Sequence, residues 1–286
     1  MAIRHDFDRM ATMRERSLRM RRMILDMAFK SKSGHLGSAF SAIDLLNVLY
    51  FDFLHLDPAD PASSERDRFI LGKGHAVSAL YVVLALRGFL DVSELETFLE
   101  DGSRLPGHPD RSLLPCLDAS SGSLGHGLGI GCGMALASKR DGASYRTVAL
   151  LSDGECNEGS TWEAALAASQ WKLDRLIAII DYNKIQGFGR TSDIMDLEPF
   201  SKKWEAFGWH VQEVDGHDYD DILRGLRRAD TCRDRPSVLI AHTTKGKGVS
   251  FMENTVDWHY WTPTEDHYRR AMQELTHPVI ASLSAH

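Results

Sequence analysis

The second half of the chain alternates short apolar runs with longer segments whose apolar residues recur at helical spacing. Short apolar runs bounded by turn residues are typical of buried strands. We predict such strands near 146–151, 175–181, 209–214 and 237–242. We predict helices near 160–171, 198–207 and 218–229. Because alternating strands and helices build a parallel sheet with helices on both faces, the pattern indicates an α/β fold.

Helical spacing dominates the first third of the chain, where 68–71 is a short strand candidate. Apolar residues at helical spacing predict an N-terminal helix over about 10–30. Further helices are predicted near 125–140 and 264–274. Neither a repeat nor a linker-like stretch divides residues 1–286, so we expect a single domain.

Composition narrows the classes of partner. The net charge is −7, which gives no reason to expect nucleic acid or an anionic membrane as a partner. No apolar run approaches the ~20 residues that span a bilayer, so we expect no membrane segment. Four cysteines without metal-ligand spacing are typical of reduced thiols, and we expect a cytoplasmic protein.

Two polar side chains follow neighbouring predicted strands. Asp153 comes just after the run Val148–Leu151, and Asn183 follows the run Leu176–Ile180. Ligands of open α/β sheets bind at the carboxyl ends of the strands. A carboxylate, an amide oxygen and a nearby backbone carbonyl suit Mg²⁺, which often shares its ligand shell with phosphates. The helix predicted from Ser160 directs free N–H groups toward the same crevice, so the sequence indicates a metal-diphosphate site.

Histidines that follow glycine are more frequent than composition explains. Composition alone would give about one such pair, and Gly lets the backbone approach a ligand closely. The Gly-His pairs stand at 34–35, 74–75, 107–108, 125–126 and 216–217. Because His exchanges protons near neutral pH, these loops indicate a pocket for acid-base work on hydroxyls and carbonyls. Metal binding by these histidines is disfavoured, since no pair has ligand spacing.

Two common nucleotide-binding classes are disfavoured. The chain has no Gly-x-x-x-x-Gly-Lys loop, which argues against a P-loop NTPase. The Gly-x-Gly pairs near 129–133 lie within a predicted helix rather than after a strand, which argues against nicotinamide binding.

Taken together, these segments resemble the N-terminal half of transketolase, including its thiamine-diphosphate motif. The similarity runs from about Ser33 to Pro263. The matching motifs are Ser33-Gly-His-Leu-Gly37, Asp67-Arg-Phe-Ile-Leu-Gly-Lys-Gly-His75, Gly107-His-Pro109, Gly122-Ser-Leu-Gly125, Asp153-Gly-Glu-Cys-Asn-Glu-Gly159, Asp181-Tyr-Asn183, Ala206-Phe-Gly-Trp-His210 and Thr244-Lys-Gly-Lys-Gly248. The resemblance implies the thiamine-diphosphate-binding fold, on its diphosphate side.

The resemblance also implies roles for individual residues. Asp153, Asn183 and the backbone carbonyl of Ile185 would hold Mg²⁺ against the diphosphate. Glu158 and Glu163 would belong to an acidic network that joins the two active sites of a dimer. The residues that would bind sugar hydroxyls and move protons are His35, His108 and His259. The residues that would contact or line the cofactor are His75, Gly122, Leu124, His126, Gly154 and Lys245.

The chain departs from the usual family pattern at a few of these positions. Ser152 and Lys184 stand where the family often has Gly. His126 stands where many full-length transketolases have Gln, and Tyr260 follows His259 where Gly is more usual.

In this family the cofactor spans two domains. The second domain supplies the glutamate that activates the aminopyrimidine and the groups that bind the sugar phosphate, and the chain shows no substitute for them. The resemblance therefore implies the N-terminal subunit of a split transketolase. Its partner would be a C-terminal subunit with the pyrimidine domain, in a heterotetramer with a homodimeric core. The complex would transfer a two-carbon ketol unit from a ketose phosphate to an aldose phosphate, with the pentose phosphate pathway as the default.

Other functions stay open at this stage. A 1-deoxyxylulose-5-phosphate synthase would share the cofactor motif, although the loop Gly107–Pro109 fits transketolase better. A 2-oxoacid dehydrogenase α subunit is split in the same way, but its motif continues with an Asn pair where this chain has Tyr182-Asn183. A non-catalytic cofactor-binding module would have no use for the histidines. The sequence does not identify the donor or acceptor sugar.

Overall fold

A computed structural model describes residues 2–277 of the 286-residue chain, with side chains described from Asp8 onward. Five parallel strands pair in the order β1-β2-β3-β5-β4. The strands are β1 (Arg68–Leu71), β2 (Thr147–Ser152), β3 (Leu176–Tyr182), β4 (His210–Asp215) and β5 (Ser237–His242). Each lies within one residue of its predicted position, and the α/β prediction is confirmed.

Helices cover both faces of the sheet. They are α1 (Ala2–Ser31), α2 (Leu36–Val48), α3 (Val77–Leu86), α4 (Gly127–Asp141), α5 (Gly159–Gln170), α6 (Thr191–Ile194), α7 (Phe200–Ala206), α8 (Tyr219–Thr231) and α9 (Glu265–Thr276). One apolar core forms where α1, α2, α3, α8 and α9 pack on the sheet. A second core forms on the other face, beneath α4, α5 and α7.

Strand β2 shows how the sequence supplies both cores. Val148 and Leu150 belong to the first core, whereas Ala149 and Leu151 belong to the second, because successive side chains of a strand point to opposite faces. Every residue of β2 and β3 is buried. This double burial explains why the strands read as uninterrupted apolar runs.

The first helix corrects one prediction. α1 begins at Ala2 rather than near residue 10. Residues 2–9 contain neither Gly nor Pro, so nothing in them opposes the extension of the helix toward the N-terminus.

Helix α1 packs against α9, the last described helix. The rings of Phe29 and Tyr268 stack with centroids 4.4 Å apart. The Tyr268 hydroxyl donates to Asp26 at 2.7 Å, and Arg22 donates to the Leu275 carbonyl at 3.0 Å. The C-terminal half of α1 and the last described helix are therefore held together by aromatic and polar contacts.

The central apolar helix corrects a second prediction, that no run approaches membrane-spanning length. α2 continues through a π-helical turn at Leu49–Phe53, and the run Leu36–Phe53 is long and apolar enough to cross a bilayer. However, 83% of this run is buried inside the protein, where it packs against α1, α3 and α8. Its apolar character is that of a core helix.

The strand register brings polar residues to one edge of the sheet. Ser152 pairs with Asp181 across β2 and β3, so Asp153 and Asn183 emerge side by side. β5 ends level with β3, which brings Thr243 to the same edge. This carboxyl edge is where a ligand of a parallel sheet is expected.

Candidate active site

Asp153 is held rigidly at the end of β2. Its Oδ1 accepts the N–H of Gly154 at 2.8 Å, and its Oδ2 accepts the N–H of Lys184 at 2.8 Å and the Thr191 hydroxyl at 2.9 Å. Burial raises the pKa of Asp153, an effect that the Thr191 hydrogen bond opposes and the neighbouring Asp181 carboxylate reinforces. A buried carboxylate in this state gains from a nearby cation.

Asn183 and Ile185 add two neutral oxygens after β3. The Asn183 side chain is buried, and its Nδ2 donates to Ser41 Oγ at 3.4 Å. Its Oδ1 accepts the N–H of Ile185 at 3.1 Å. The Ile185 carbonyl accepts from Lys245 Nζ at 2.9 Å. Asn183 and Ile185 are thus hydrogen-bonded to each other, and the N–H of Lys184 between them donates to Asp153.

These oxygens fit a divalent cation. One carboxylate with an amide and a carbonyl oxygen is a hard ligand set of the kind that Mg²⁺ prefers, and its low charge leaves room for phosphate oxygens. Within residues 8–277, whose side chains the structure describes, no group of three or more His, Cys, Asp or Glu is placed to hold a metal ion. A metal in this part of the chain would therefore depend on neutral oxygens, as it would beside Asp153.

A buried ion pair lies at the same edge, and sequence reasoning missed it. Lys73 and Asp181 are fully buried and in direct contact. Asp181 also accepts from Ser41 Oγ at 2.6 Å and from Thr243 Oγ1. Burial alone would raise the pKa of Asp181, but the Lys73 ammonium and these hydrogen bonds hold it below its usual value. Lys73 and Asp181 belong to two separate motifs and are 108 positions apart, so local spacing did not indicate their contact.

Three of the predicted histidines converge into a triangle. The ring centroids of His35 and His75 are 5.3 Å apart, those of His35 and His259 are 5.2 Å apart, and those of His75 and His259 are 5.3 Å apart. Burial lowers the pKa of His259 to about 3 and that of His75 well below its usual value, and it also lowers the pKa of His35. At neutral pH the three rings are therefore uncharged, and each carries one N–H and one unprotonated nitrogen.

The backbone fixes the triangle through close approaches. His35 has a left-handed conformation, with φ at 65°, and its N–H donates to the His259 carbonyl at 2.9 Å. A Cβ at Gly34 would lie 2.6 Å from the Tyr260 carbonyl oxygen, so only Gly allows these loops to meet. His75 Nε2 lies 3.1 Å from Ser38 Oγ. The Gly-His pairing seen in the sequence thus has a steric cause here.

Lys245 joins the triangle to the oxygen ligands. It is fully buried, and its Nζ lies 2.9 Å from the Ile185 carbonyl and 2.8 Å from His259 Nδ1. Burial lowers the pKa of Lys245 to about 8, and the charge of Lys73 adds to this effect. Because His259 has the far lower pKa, Lys245 is the donor of this pair.

The loop before α4 brings the fourth histidine to the site. A Cβ at Gly122, whose φ is 149°, would lie 2.7 Å from His108 Cδ2, so the His108 ring packs on the bare Gly122 backbone. His108 is exposed, but its charge contributes to the lowered pKa of His35. Leu124 is half-buried, and His126 is exposed with its Nδ1 3.3 Å from the Leu124 carbonyl.

Among the glutamates after β2, the buried one was not among the predicted site residues. Glu158 and Glu163 are exposed, and Glu158 packs against the backbone of Gly125, where a Cβ would lie 2.6 Å from the Glu158 Cβ. Glu155 is fully buried, its Oε1 accepts the N–H of Gly125 at 3.2 Å, and burial raises its pKa to about 7. Gly154 lies beside Gln186, since a Cβ there would be 3.3 Å from the Gln186 side chain.

Comparison with known proteins identifies the family to which the chain is similar. Residues 13–278 match the family described as "Transketolase, thiamine diphosphate binding domain". The chain is 44% identical over 265 residues to an apulose-4-phosphate transketolase subunit of Phocaeicola vulgatus, covering 93% of the chain and 94% of the relative. It is 41% identical over 256 residues to the 6-deoxy-6-sulfo-D-fructose transketolase subunit SqwG of a Clostridium species, covering 90% and 93%.

Longer relatives match only in part. Human transketolase is 38% identical over 255 residues, which are 89% of this chain and 40% of that one. The crystal structure of Campylobacter jejuni transketolase superimposes with a TM-score of 0.87 at 31% identity, covering 92% of this chain and 42% of the other. The chain therefore spans about two fifths of these longer proteins, but nearly the full length of the two subunits.

Proposed function

Because the chain belongs to the transketolase family, within its thiamine diphosphate binding domain, we propose that it is the N-terminal subunit of a split transketolase. The two relatives that are named as subunits support this proposal, since they match over nearly their whole length. The partner is then a C-terminal subunit with the pyrimidine domain, in a heterotetramer with a homodimeric core. The proposed complex is cytoplasmic and binds neither nucleic acid nor membrane.

The proposed reaction moves a two-carbon ketol unit from a ketose to an aldose. Thiamine diphosphate, when bound, supplies an electron sink for the carbon–carbon bond that breaks. The subunit relatives are named for apulose 4-phosphate and for 6-deoxy-6-sulfofructose, so the substrate class is an anionic ketose. Pentose phosphates are one member of this class.

The oxygens of the carboxyl edge hold the cofactor in this proposal. Asp153, Asn183 and the Ile185 carbonyl bind Mg²⁺, which carries the diphosphate. Lys245 and His75 face the diphosphate end, and Gly154 allows its close approach. The residues beside the thiazolium and aminopyrimidine rings are Gly122, Leu124 and His126. The residues of the acidic network between paired active sites are Glu158 and Glu163.

The histidines move the proton. Cleavage of a ketose requires the hydroxyl beside the breaking bond to lose its proton, and that proton later returns to the oxygen of the accepting aldehyde. A neutral imidazole can take and return it. The depressed pKa values keep His35 and His259 neutral. Because Lys245 donates to Nδ1 of His259, the proton of this ring lies on Nε2 and is directed to a sugar oxygen, so His35 is the proposed proton acceptor, with His108 binding the sugar hydroxyls.

One observation carries the proposal. The Ile185 carbonyl and His259 bind the same Lys245 ammonium, so the candidate cation ligands and the histidine triangle form one continuous site. This continuity supports the proposal that one subunit contacts both the diphosphate end and the reacting end of a single cofactor.

Reconstitution tests the proposal. The chain is mixed with the product of an adjacent open reading frame of about 300 residues that has pyrimidine-domain character. With thiamine diphosphate and Mg²⁺, ketol transfer from a panel of anionic ketoses to glyceraldehyde 3-phosphate is followed. We expect transfer from the mixture and none from either chain alone. Transfer by this chain alone, or a stable complex that is inactive with every donor, contradicts the proposal.

A further inference from the structure

Tyr260 stands beside the histidine triangle without belonging to it. Its ring centroid lies 4.6 Å from that of His259 and 5.7 Å from that of His35, and both contacts are edge-on. The side chain is 57% exposed, in contrast to the buried Trp258 two positions earlier. A large aromatic ring therefore lines the solvent side of the site.

Tyr260 contacts neighbouring loops through both its backbone and its hydroxyl group. A Cβ at Gly34 would clash with the Tyr260 carbonyl, and the Tyr260 N–H donates to the Asp257 carbonyl at 3.1 Å. The hydroxyl extends over a third loop, where a Cβ at Gly187 would lie 2.8 Å from Tyr260 Oη. Close contacts thus fix the backbone of Tyr260, and the hydroxyl end of its side chain lies against the Gly187 loop at the entrance.

The position of this ring matters for a sugar chain. The aldehyde oxygen of an acceptor must reach the histidines that return the proton, so the remaining carbons of the acceptor extend outward toward the mouth of the site. A three-carbon acceptor ends early, whereas a five-carbon acceptor continues past the ring. Rigid walls discriminate by size, and differences of about 10–200-fold per misfitting group are typical of such pockets.

We propose that Tyr260 is a specificity-determining residue that narrows the sugar entrance and favours short aldose acceptors over long ones. The inference rests on the proposed transketolase function. It concerns the selection of the acceptor and leaves the proton transfer to the histidines.

The test compares Tyr260→Ala with the wild-type chain, each in complex with the partner subunit. The values of kcat/KM are measured for glyceraldehyde 3-phosphate and for ribose 5-phosphate with a single donor. We expect the ratio to shift at least about tenfold toward ribose 5-phosphate in the variant. Tyr260→Leu, which keeps part of the side-chain volume, is expected to give a smaller shift in the same direction.

Two controls separate the possible outcomes. Tyr260→Phe keeps the ring and should retain the wild-type ratio, and so should Trp261→Leu, because Trp261 is the exposed neighbour that packs on Trp258 instead. An unchanged or reversed ratio in folded Tyr260→Ala and Tyr260→Leu complexes overturns this inference and leaves the function intact. A wild-type complex without ketol transfer overturns both.

Discussion

Glu155 is an acid enclosed by glycine backbone at the end of β2. A Cβ at Gly72 would lie 2.6 Å from both carboxyl oxygens, so the Glu155 carboxyl group occupies the space that a side chain at Gly72 would need. Its Oε2 has no hydrogen-bond partner among the side chains and backbone that the structure describes for residues 8–277. These two features explain why burial is the main cause of the raised pKa of Glu155.

The stability of the chain should therefore depend on Glu155. Its pKa rises from 4.5 to about 7 on folding, so the unfolded state loses this proton first and stability falls as pH rises from 4.5 to 7. Glu155→Gln should remove this decline. Above pH 7 the free energy of unfolding of the variant should therefore exceed that of the wild type by up to about 3 kcal/mol. Urea unfolding at pH 5 and pH 8 measures the effect. A variant with the same pH dependence as the wild type contradicts it.

Asp153 makes a prediction about cofactor binding. Asp153→Ala should weaken Mg²⁺-dependent binding of thiamine diphosphate by the assembled complex by more than the ~10–100-fold typical of outer-shell changes. Calorimetric titration of the complex with cofactor, with and without Mg²⁺, measures it. Asp101→Ala is the matched control, since Asp101 is an exposed loop residue. An unchanged affinity for thiamine diphosphate in Asp153→Ala would contradict the assignment of this site.

Among the elements, β1 and β3 are coupled through side chains although β2 lies between them in the sheet. Lys73 follows β1 and Asp181 lies near the end of β3, and their contact crosses the end of β2. Lys73 also donates to the Ser38 carbonyl of α2 at 3.2 Å. The pair thus fixes three elements at the edge where the cofactor is proposed to bind.

Breaking this pair should be costly. Lys73→Met leaves the Asp181 carboxylate buried without its countercharge, which is expected to cost about 3–5 kcal/mol in the free energy of unfolding. The control Lys202→Met breaks the exposed Lys202–Glu205 pair and should cost less than about 1 kcal/mol. Chemical denaturation of both variants measures the difference. Equal losses would mean that the buried pair contributes no more than a surface one.

The elements themselves were largely predictable, whereas the contacts between them were not. Strand β5 has the bounds that its apolar run predicted, because a strand buried on both faces needs apolar residues at every position. The start of α1 was placed too late, since Ile3, Phe7 and Met10 continue the helical spacing of apolar residues toward the N-terminus. The Lys73–Asp181 pair and the burial of Glu155 depend on which loops meet, and local spacing does not encode that.

At the scale of the whole molecule, large apolar side chains remain exposed near the site and on α5. The exposed fraction is 86% for Phe188 and 57% for both Met195 and Leu166. Phe188 is two residues from Gln186, whose carbonyl lies 3.4 Å from Lys245 Nζ. Apolar side chains left bare beside a site favour a protein partner, which supports the proposed partner subunit.

The docking of α1 against α9 has a consequence for synthesis on the ribosome. Arg22 and Leu275 are 253 positions apart, so the face of α1 that receives α9 is made early and covered late. At translation rates of roughly 5–20 residues per second, that face waits on the order of 10–50 s. During this interval the nascent chain offers apolar surface to chaperones or to aggregation, and contacts of such long sequence separation also form slowly.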